Sequence, residues 1–372
     1  MKVPFFDYSR LYSDDKRLIL DAVENVGSRG AYIMQSDLKE FEARLARYVS
    51  TNFALGVGNA TDGLEIIWNT IGLKPGDEVI ISTHTMLATA SAIIMAGGTP
   101  IPVDINQDGL INPEGVEAAI TKNTVGISPT QLNGRTCQMD KLAHIAKKNS
   151  LALVEDAAQG LGSEFKGQKA GSFGDAAVFS FYPAKILGCL GDGGAITTNT
   201  SELYEKIYCL HDHGRDIDGT PASWGRNSRL DNLQAAILNA KFNSFEKVIE
   251  RRREIARKYH EALNKVDQVI LPEPPKLDTD NFDTFQNFEI LAEKRNDLQA
   301  YLKNNGVGTL IQWGGKAIHE WELLEFKEKL PVAELYFKKC LMLPMNLFIS
   351  DDDIYFVAQK IKDFYNYNLS KN

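Results

Sequence analysis

The sequence predicts an α/β fold: a mostly parallel, mixed sheet flanked by helices, followed by a smaller C-terminal α+β domain. Three observations carry this expectation. Short β-rich runs alternate with helix-length amphipathic runs from about residue 53 to 198. A long, charged helical stretch then leads into a proline-rich break. Beyond the break the pattern thins to one strand and two helices. Alternating strands and helices imply crossover connections between parallel strands, so a ligand is expected at the loops beyond the strands' carboxyl ends.

The expected strands are residues 53–57, 78–82, 99–104, 125–129, 152–155, 176–181 and 194–198, apolar or β-branched runs of buried-strand length. Helices are expected between them at 62–71, 85–95, 113–119 and 139–148, where apolar residues recur at helical spacing. Residues 234–260 read as one long helix bridging to a second unit, with 250–253 as its solvated face. The run LPEPP at 271–275 interrupts regular structure. A strand at 287–291, a helix at 295–304 and a terminal helix at 351–365 follow. These patterns place a large domain with an N-terminal arm at 1–245 and a small domain at 246–372. No internal repeat or low-complexity tract interrupts them, and the final NLSKN is expected to fray.

With 372 residues, 44% hydrophobic and 24% charged, the chain can bury the cores that two such domains need. A net charge of −8 argues against a nucleic-acid partner, because polyanion binding needs clustered cations. A local anion pocket stays compatible with it. The opening MKVPFFDYSRLYSDD lacks the features of a signal peptide, and no run reads as a membrane span, so no membrane partner is expected. Cys137, Cys189, Cys209 and Cys340 lie far apart without CxxC spacing, which supports neither a zinc site nor a disulfide framework and implies a reducing, cytoplasmic setting. His211 and His213 alternate in CLHDHGRD without a third ligand, so no metal is expected.

The densest chemical signal is VEDAAQGLGSEFKGQKAGSFGDAAVFSFYPAKILGCLGDGGAITT, residues 154–198. It sets Asp156 and Gln159 just after one hydrophobic strand, and Ser180 and Lys185 just after another. A carboxylate can hold a protonated heterocyclic nitrogen, and a lysine can form a Schiff base with an aldehyde; pyridoxal phosphate requires both. Taken singly, Asp156 could be a helix cap and Lys185 a solvated loop cation. However, Phe179, Phe181, Tyr182, Pro183, Ile186 and Leu187 leave little polar sequence around Lys185, and desolvation favours its neutral, nucleophilic amine. Upstream, GVGNATDGLEIIW puts small residues between a strand and a helix, where free amides can receive a phosphate.

The ordered set GAYIMQSDLKEFEARLARYV, GNATDGL, EDAAQGLGS, GSFGDAAVFSFYPAK, GDGGAITT and WGRNSRLDNLQAAIL resembles the DegT and StrS type of sugar aminotransferases, pyridoxal phosphate enzymes of the aspartate aminotransferase fold (fold type I). The resemblance implies Lys185 as the Schiff-base lysine and Asp156 as partner of the pyridine nitrogen. It implies Gln159 near the ring hydroxyl, with Ala60, Thr61 and Ser180 on the phosphate. Asn227, in the GxNxR motif, would reach the phosphate of the neighbouring subunit, which implies a homodimer with shared active sites. Arg229 of the same motif reads equally as an ion-pair residue. Met86 stands where many relatives place an aromatic ring over the cofactor. PTQLNGRT and TLIQWGGKAIHE also depart from the common pattern, bringing in Gln131, Asn133, Arg135, Gln312, Trp313, Lys316 and His319. Arg135 and Lys316 are candidates to face an anionic substrate group, or else solvated loop cations. The implied activity is transfer of an amino group from L-glutamate to a keto sugar, nucleotide-linked, in amino-sugar biosynthesis. The alternatives are a transaminase of a small phosphorylated ketone and a non-catalytic regulatory protein. A dehydratase branch with His in place of the lysine is opposed by Lys185 itself.

Overall fold

The computed structural model describes residues 2–276 and 279–369. Its centre is a seven-stranded sheet of β1 (Phe53–Val57), β2 (Glu78–Ser82), β3 (Thr99–Val103), β4 (Thr124–Ser128), β5 (Ala152–Asp156), β8 (Ala176–Ser180) and β9 (Gly194–Thr198). The spatial order is β1-β9-β8-β5-β4-β2-β3. All pairs are parallel except those of β9, which runs against both β1 and β8. Every expected strand of this sheet is present, with ends displaced by at most one residue. Pro100 and Pro102 are tolerated because β3 lies at the edge.

Helices cover both faces, as alternation along the strands requires. Val154, Val178 and Ile196 face α3 (Ala60–Ile71), packing with Leu64, Ile67 and Trp68. Phe179 and Ala195 face the other way, toward Leu38, Phe41 and Leu45 of α2 (Ser36–Val49) and Leu238 of α8 (Asn232–Phe242). A Cβ on Gly63 would lie 2.7 Å from Val178 Cγ2, so glycine lets α3 lie close against β8. The remaining helices of this part are α1 (Tyr8–Arg29), α4 (Leu87–Met95), α5 (Pro113–Ala118), α6 (Met139–Lys148) and α7 (Ser201–His211). A small ladder joins β6 (Glu164–Phe165) and β7 (Gln168–Lys169) to β11 (Asn281–Phe282).

The single helix expected at 234–260 is two, α8 and α9 (Phe245–Leu263). Asn243 and Ser244 separate them, and the Ser244 hydroxyl donates to the Lys241 carbonyl at 3.1 Å, competing with the helical ladder. The stretch 250–253 is not a purely solvated face. Arg252 donates to the carbonyls of Phe285 and Gln286, Arg251 to that of Ile349 and Arg253 to that of Asp283, so this face holds the C-terminal part in place. Phe245 and Ile249 of α9 pack in the core beneath α2 and α8, whereas Ile255, Ala256, Tyr259 and Leu263 pack in a second core.

That second core lies on a three-stranded antiparallel sheet, β10 (Val269–Ile270), β12 (Phe288–Ala292) and β13 (Cys340–Leu343), in the order β10-β12-β13. Residues of α10 (Arg295–Asn304) and α12 (Asp351–Leu369) share it, and α11 (Pro331–Lys339) packs beside Ile105 and Ala317. Val3 belongs to this C-terminal core and pairs with Val307, so the N-terminal arm is fastened there. Among the described residues, no helix is long and apolar enough to cross a membrane.

Candidate active site

β5 and β8 are neighbours, and they end on Asp156 and Ser180. The N-terminus of α3 and the loop after β8 meet them, enclosing a cavity of about 440 Å³. Ala60, Thr61, Met86, Asp156, Gln159, Ser180 and Lys185 all line it. Of the eight residues that the sequence assigns to cofactor and catalysis, all but Asn227 converge on one volume.

Asp156 is almost fully buried. One carboxylate oxygen accepts from the Thr89 hydroxyl at 2.6 Å and the other from the Ala158 amide at 3.1 Å. Burial pushes its pKa up, while these two bonds and the nearby Lys185 hold it down. Lys185 lines the cavity. Burial lowers its pKa to about 8, with Asp156 opposing the shift, so a substantial fraction is neutral amine near physiological pH.

Gln159 is fixed by its amide oxygen, which accepts from the Asn133 backbone at 2.9 Å and from Asn287 Nδ2 at 3.4 Å. Its Nε2 is left to donate into the cavity. At the start of α3, Asn59 caps the helix by accepting from the Asp62 amide at 2.8 Å. Ala60 and Thr61 then present amides with no carbonyl one turn back to serve them. A Cβ on Gly194 would lie 2.7 Å from the Asn59 carbonyl carbon and 2.8 Å from the Ala60 nitrogen, so glycine there allows β9 to press against this turn. The Met86 thioether accepts from the Ala88 amide at 3.1 Å on the wall of the cavity.

The sequence profile of the DegT/DnrJ/EryC1/StrS aminotransferase family matches residues 13–362. The chain belongs to this family. It is 34% identical to the dTDP-3-amino-3,4,6-trideoxy-alpha-D-glucose transaminase of Streptomyces venezuelae, over 92% of this chain and 91% of that one. It is 37% identical to a protein of Geobacillus stearothermophilus named pleiotropic regulatory protein, over 99% of this chain and the whole of that one. The crystal structure of S. venezuelae DesV in complex with a ketimine intermediate superposes with a TM-score of 0.93 at 32% identity, covering 98% of each chain.

The family's aminotransferases depend on pyridoxal 5'-phosphate, and the cavity's donor set fits that group. Paired free amides and hydroxyls suit a phosphate, a buried carboxylate suits a pyridinium, and a desolvated lysine suits an aldehyde.

The remaining sequence candidates lie elsewhere. Asn227 and Arg229 do not line the cavity. Asn227 is exposed on the hairpin that also carries Trp224, which is 98% exposed, and Arg229 pairs with Asp212 at 2.9 Å. Arg135 lines a separate cavity of about 310 Å³ with Asp283 and Tyr336, donating to the Asp108 carbonyl at 2.6 Å. Lys316 is exposed and sits 5.0 Å over the Trp321 ring. Gln131 is fully buried and bonded to Glu155 at 2.6 Å and to the Cys137 amide at 2.7 Å, so it is a core residue. Gln312 is buried against Asn133 and Glu289. Sequence reasoning gave no role to Thr89, and it passed over Thr130 and left Trp313 unassigned, although both line the cavity. Thr89 and Thr130 resemble ordinary helix and loop residues until the fold brings them to Asp156.

Proposed function

We propose that the protein transfers an amino group from L-glutamate to a nucleotide-linked keto sugar, as an aminotransferase of amino-sugar biosynthesis. The observation that carries this is the shared cavity of Lys185, Asp156 and the free amides of α3. The dTDP-sugar named for the S. venezuelae transaminase supports the nucleotide-linked acceptor.

The chain's own residues would divide the work as follows. Ala60 and Thr61 amides, with the hydroxyls of Thr61 and Ser180, hold the cofactor phosphate at the positive end of α3. Gln159 would donate to the ring hydroxyl, and Met86 would pack on the ring. Asp156 would accept a hydrogen bond from the protonated ring nitrogen. When bound, the cofactor supplies an electron sink for charge developing at the donor's Cα. Lys185 would hold the cofactor aldehyde at rest, and its freed amine would carry a proton from the donor's Cα to the cofactor's aldehyde carbon and, with the keto sugar, from that carbon to the sugar carbon being aminated.

Asn227 fits the same reading through a second copy of the chain, while Arg229 pairs with Asp212 of its own chain. The exposed hairpin that carries Asn227 and Trp224 would seat on a partner and complete its phosphate site, giving a homodimer with shared active sites. Four unpaired thiols agree with a cytoplasmic location.

L-Glutamate alone is expected to convert the bound cofactor to its amine form and release one equivalent of 2-oxoglutarate per site. A panel of nucleotide-linked keto sugars and small keto phosphates is then expected to show turnover only with the former. The regulatory name of the G. stearothermophilus relative motivates one other reading, that of a cofactor-binding regulator. That reading requires no 2-oxoglutarate release.

A further inference from the structure

Behind Asp156 lie three buried threonines from three different segments. Thr85 follows β2, Thr89 is on α4, and Thr130 lies just past β4. Thr89 Oγ1 is 2.6 Å from the Asp156 carboxylate, Thr85 Oγ1 is 2.7 Å from Thr89 Oγ1, and Thr130 Oγ1 is 2.7 Å from Thr85 Oγ1.

A hydroxyl has one proton to give and two lone pairs with which to accept. Each of the three contacts needs one proton, and an ionised Asp156 supplies none. Thr89 must therefore donate to the carboxylate, Thr85 to Thr89, and Thr130 to Thr85. No other assignment fills all three contacts. Reversing the order would require a protonated Asp156 and rotation of all three hydroxyls. Aligned hydroxyls polarise one another, so the outer two strengthen the bond that the innermost makes to the charge. The need is real, because the site is buried and burial disfavours the ionised carboxylate. Among the described residues, only the Ala158 amide, at 3.1 Å, and the neighbouring Lys185 otherwise oppose that tendency. Thr130 also lines the cavity, and with its proton committed to Thr85 it can face a ligand only as an acceptor.

We propose that Thr130, Thr85 and Thr89 form a one-way hydroxyl chain that keeps Asp156 set as the acceptor for the cofactor's protonated ring nitrogen. They are positioning residues, acting on the cofactor through Asp156. The proposal rests on the reading of Asp156 given above, and its test separates the two.

The apoprotein is loaded with pyridoxal phosphate carrying nitrogen-15 in the ring, and the ring-nitrogen chemical shift is measured together with cofactor affinity. Thr89→Val is expected to move the shift toward the unprotonated position and weaken cofactor binding about tenfold. Thr85→Val is expected to act in the same direction at about threefold, and Thr130→Val less again. Thr85→Ser, which restores the hydroxyl, is expected to match the native protein. A wild-type shift in both Thr85→Val and Thr130→Val would overturn the chain, as would a Thr85→Ser variant that behaves like Thr85→Val. Asp156→Asn provides the control. If it moves the shift and the outer threonines do not, the chain alone is wrong; if it leaves the shift unchanged, the reading of Asp156 fails too. Should Thr85→Val fail to fold, Thr130→Val reads the same chain one link further out.

Discussion

Glu155 and Asp156 are consecutive residues of β5, and the pleat sends their carboxylates to opposite faces of the sheet. Both are buried, and burial raises the pKa of each. On one face, Glu155 accepts from Gln131 at 2.6 Å and from the amides of Gly171 and Phe173 at 2.9 and 2.7 Å, so the protein itself fills its acceptor positions. On the other, Asp156 accepts from one hydroxyl and one amide and opens toward the cavity of Lys185. Charge and burial are the same on the two faces. What differs is whether the protein or a ligand completes the hydrogen bonding, and that separates a structural carboxylate from a reactive one.

The contrast can be broken most sharply at Asp156. Asp156→Asn keeps shape and volume but removes the charge, so turnover of glutamate and keto sugar is expected to fall about a thousandfold or more, with the urea midpoint near that of the native protein. A comparable loss of stability would erase the distinction. At Glu155 the expectation reverses. Glu155→Ala leaves Gln131 and two loop amides unsatisfied, which is expected to cost about 3–5 kcal/mol in urea unfolding of the apoprotein. Its folded fraction is expected to retain most of its turnover.

The open face can be sharpened by pH. Lys185 attacks as the neutral amine and its pKa lies at about 8, lowered by burial. Stopped-flow rates of pyridoxal phosphate attachment to the apoprotein are expected to rise about tenfold per pH unit below that value and level off above it. A profile still climbing steeply past pH 9 would place the amine in a solvated setting. Gln159→Leu removes one donor to the ring hydroxyl and is expected to weaken cofactor binding about tenfold, read by equilibrium dialysis. The smallest effect is expected at Lys316→Ala, where an exposed cation over Trp321 is removed. Its kcat/KM for the sugar is expected to stay within about threefold of native, and a larger loss would restore Lys316 as a substrate contact.

The parts of the molecule that follow local rules were legible in the sequence. Strands buried on both faces read as apolar runs, and β5 and β8 end on the polar residues Asp156 and Ser180, which puts these two at the sheet's rim. Lys185 was legible because apolar residues surround it in the chain, and the fold buries it. The single helix at 234–260 was misread because the break at Asn243 and Ser244 is weaker than the periodicity on either side. Gln131 and Gln312 stood out in the sequence only as departures from the common pattern and Arg135 as a candidate for an anionic group, because their partners Glu155, Glu289 and Asp108 come from distant positions that no local pattern announces. The threonine chain was hidden for the same reason, since its links span 4, 45 and 67 residues.

The central claim is that the face of β5 bearing Asp156 forms, with Lys185, the site that holds and uses the cofactor. The most direct measurement is borohydride reduction of the protein loaded with pyridoxal phosphate, followed by peptide mass spectrometry. The account predicts one reduced cofactor per chain, attached to Lys185, and none when L-glutamate has first been added in excess. Attachment to another lysine, or labelling of Lys185 that glutamate does not prevent, would contradict it.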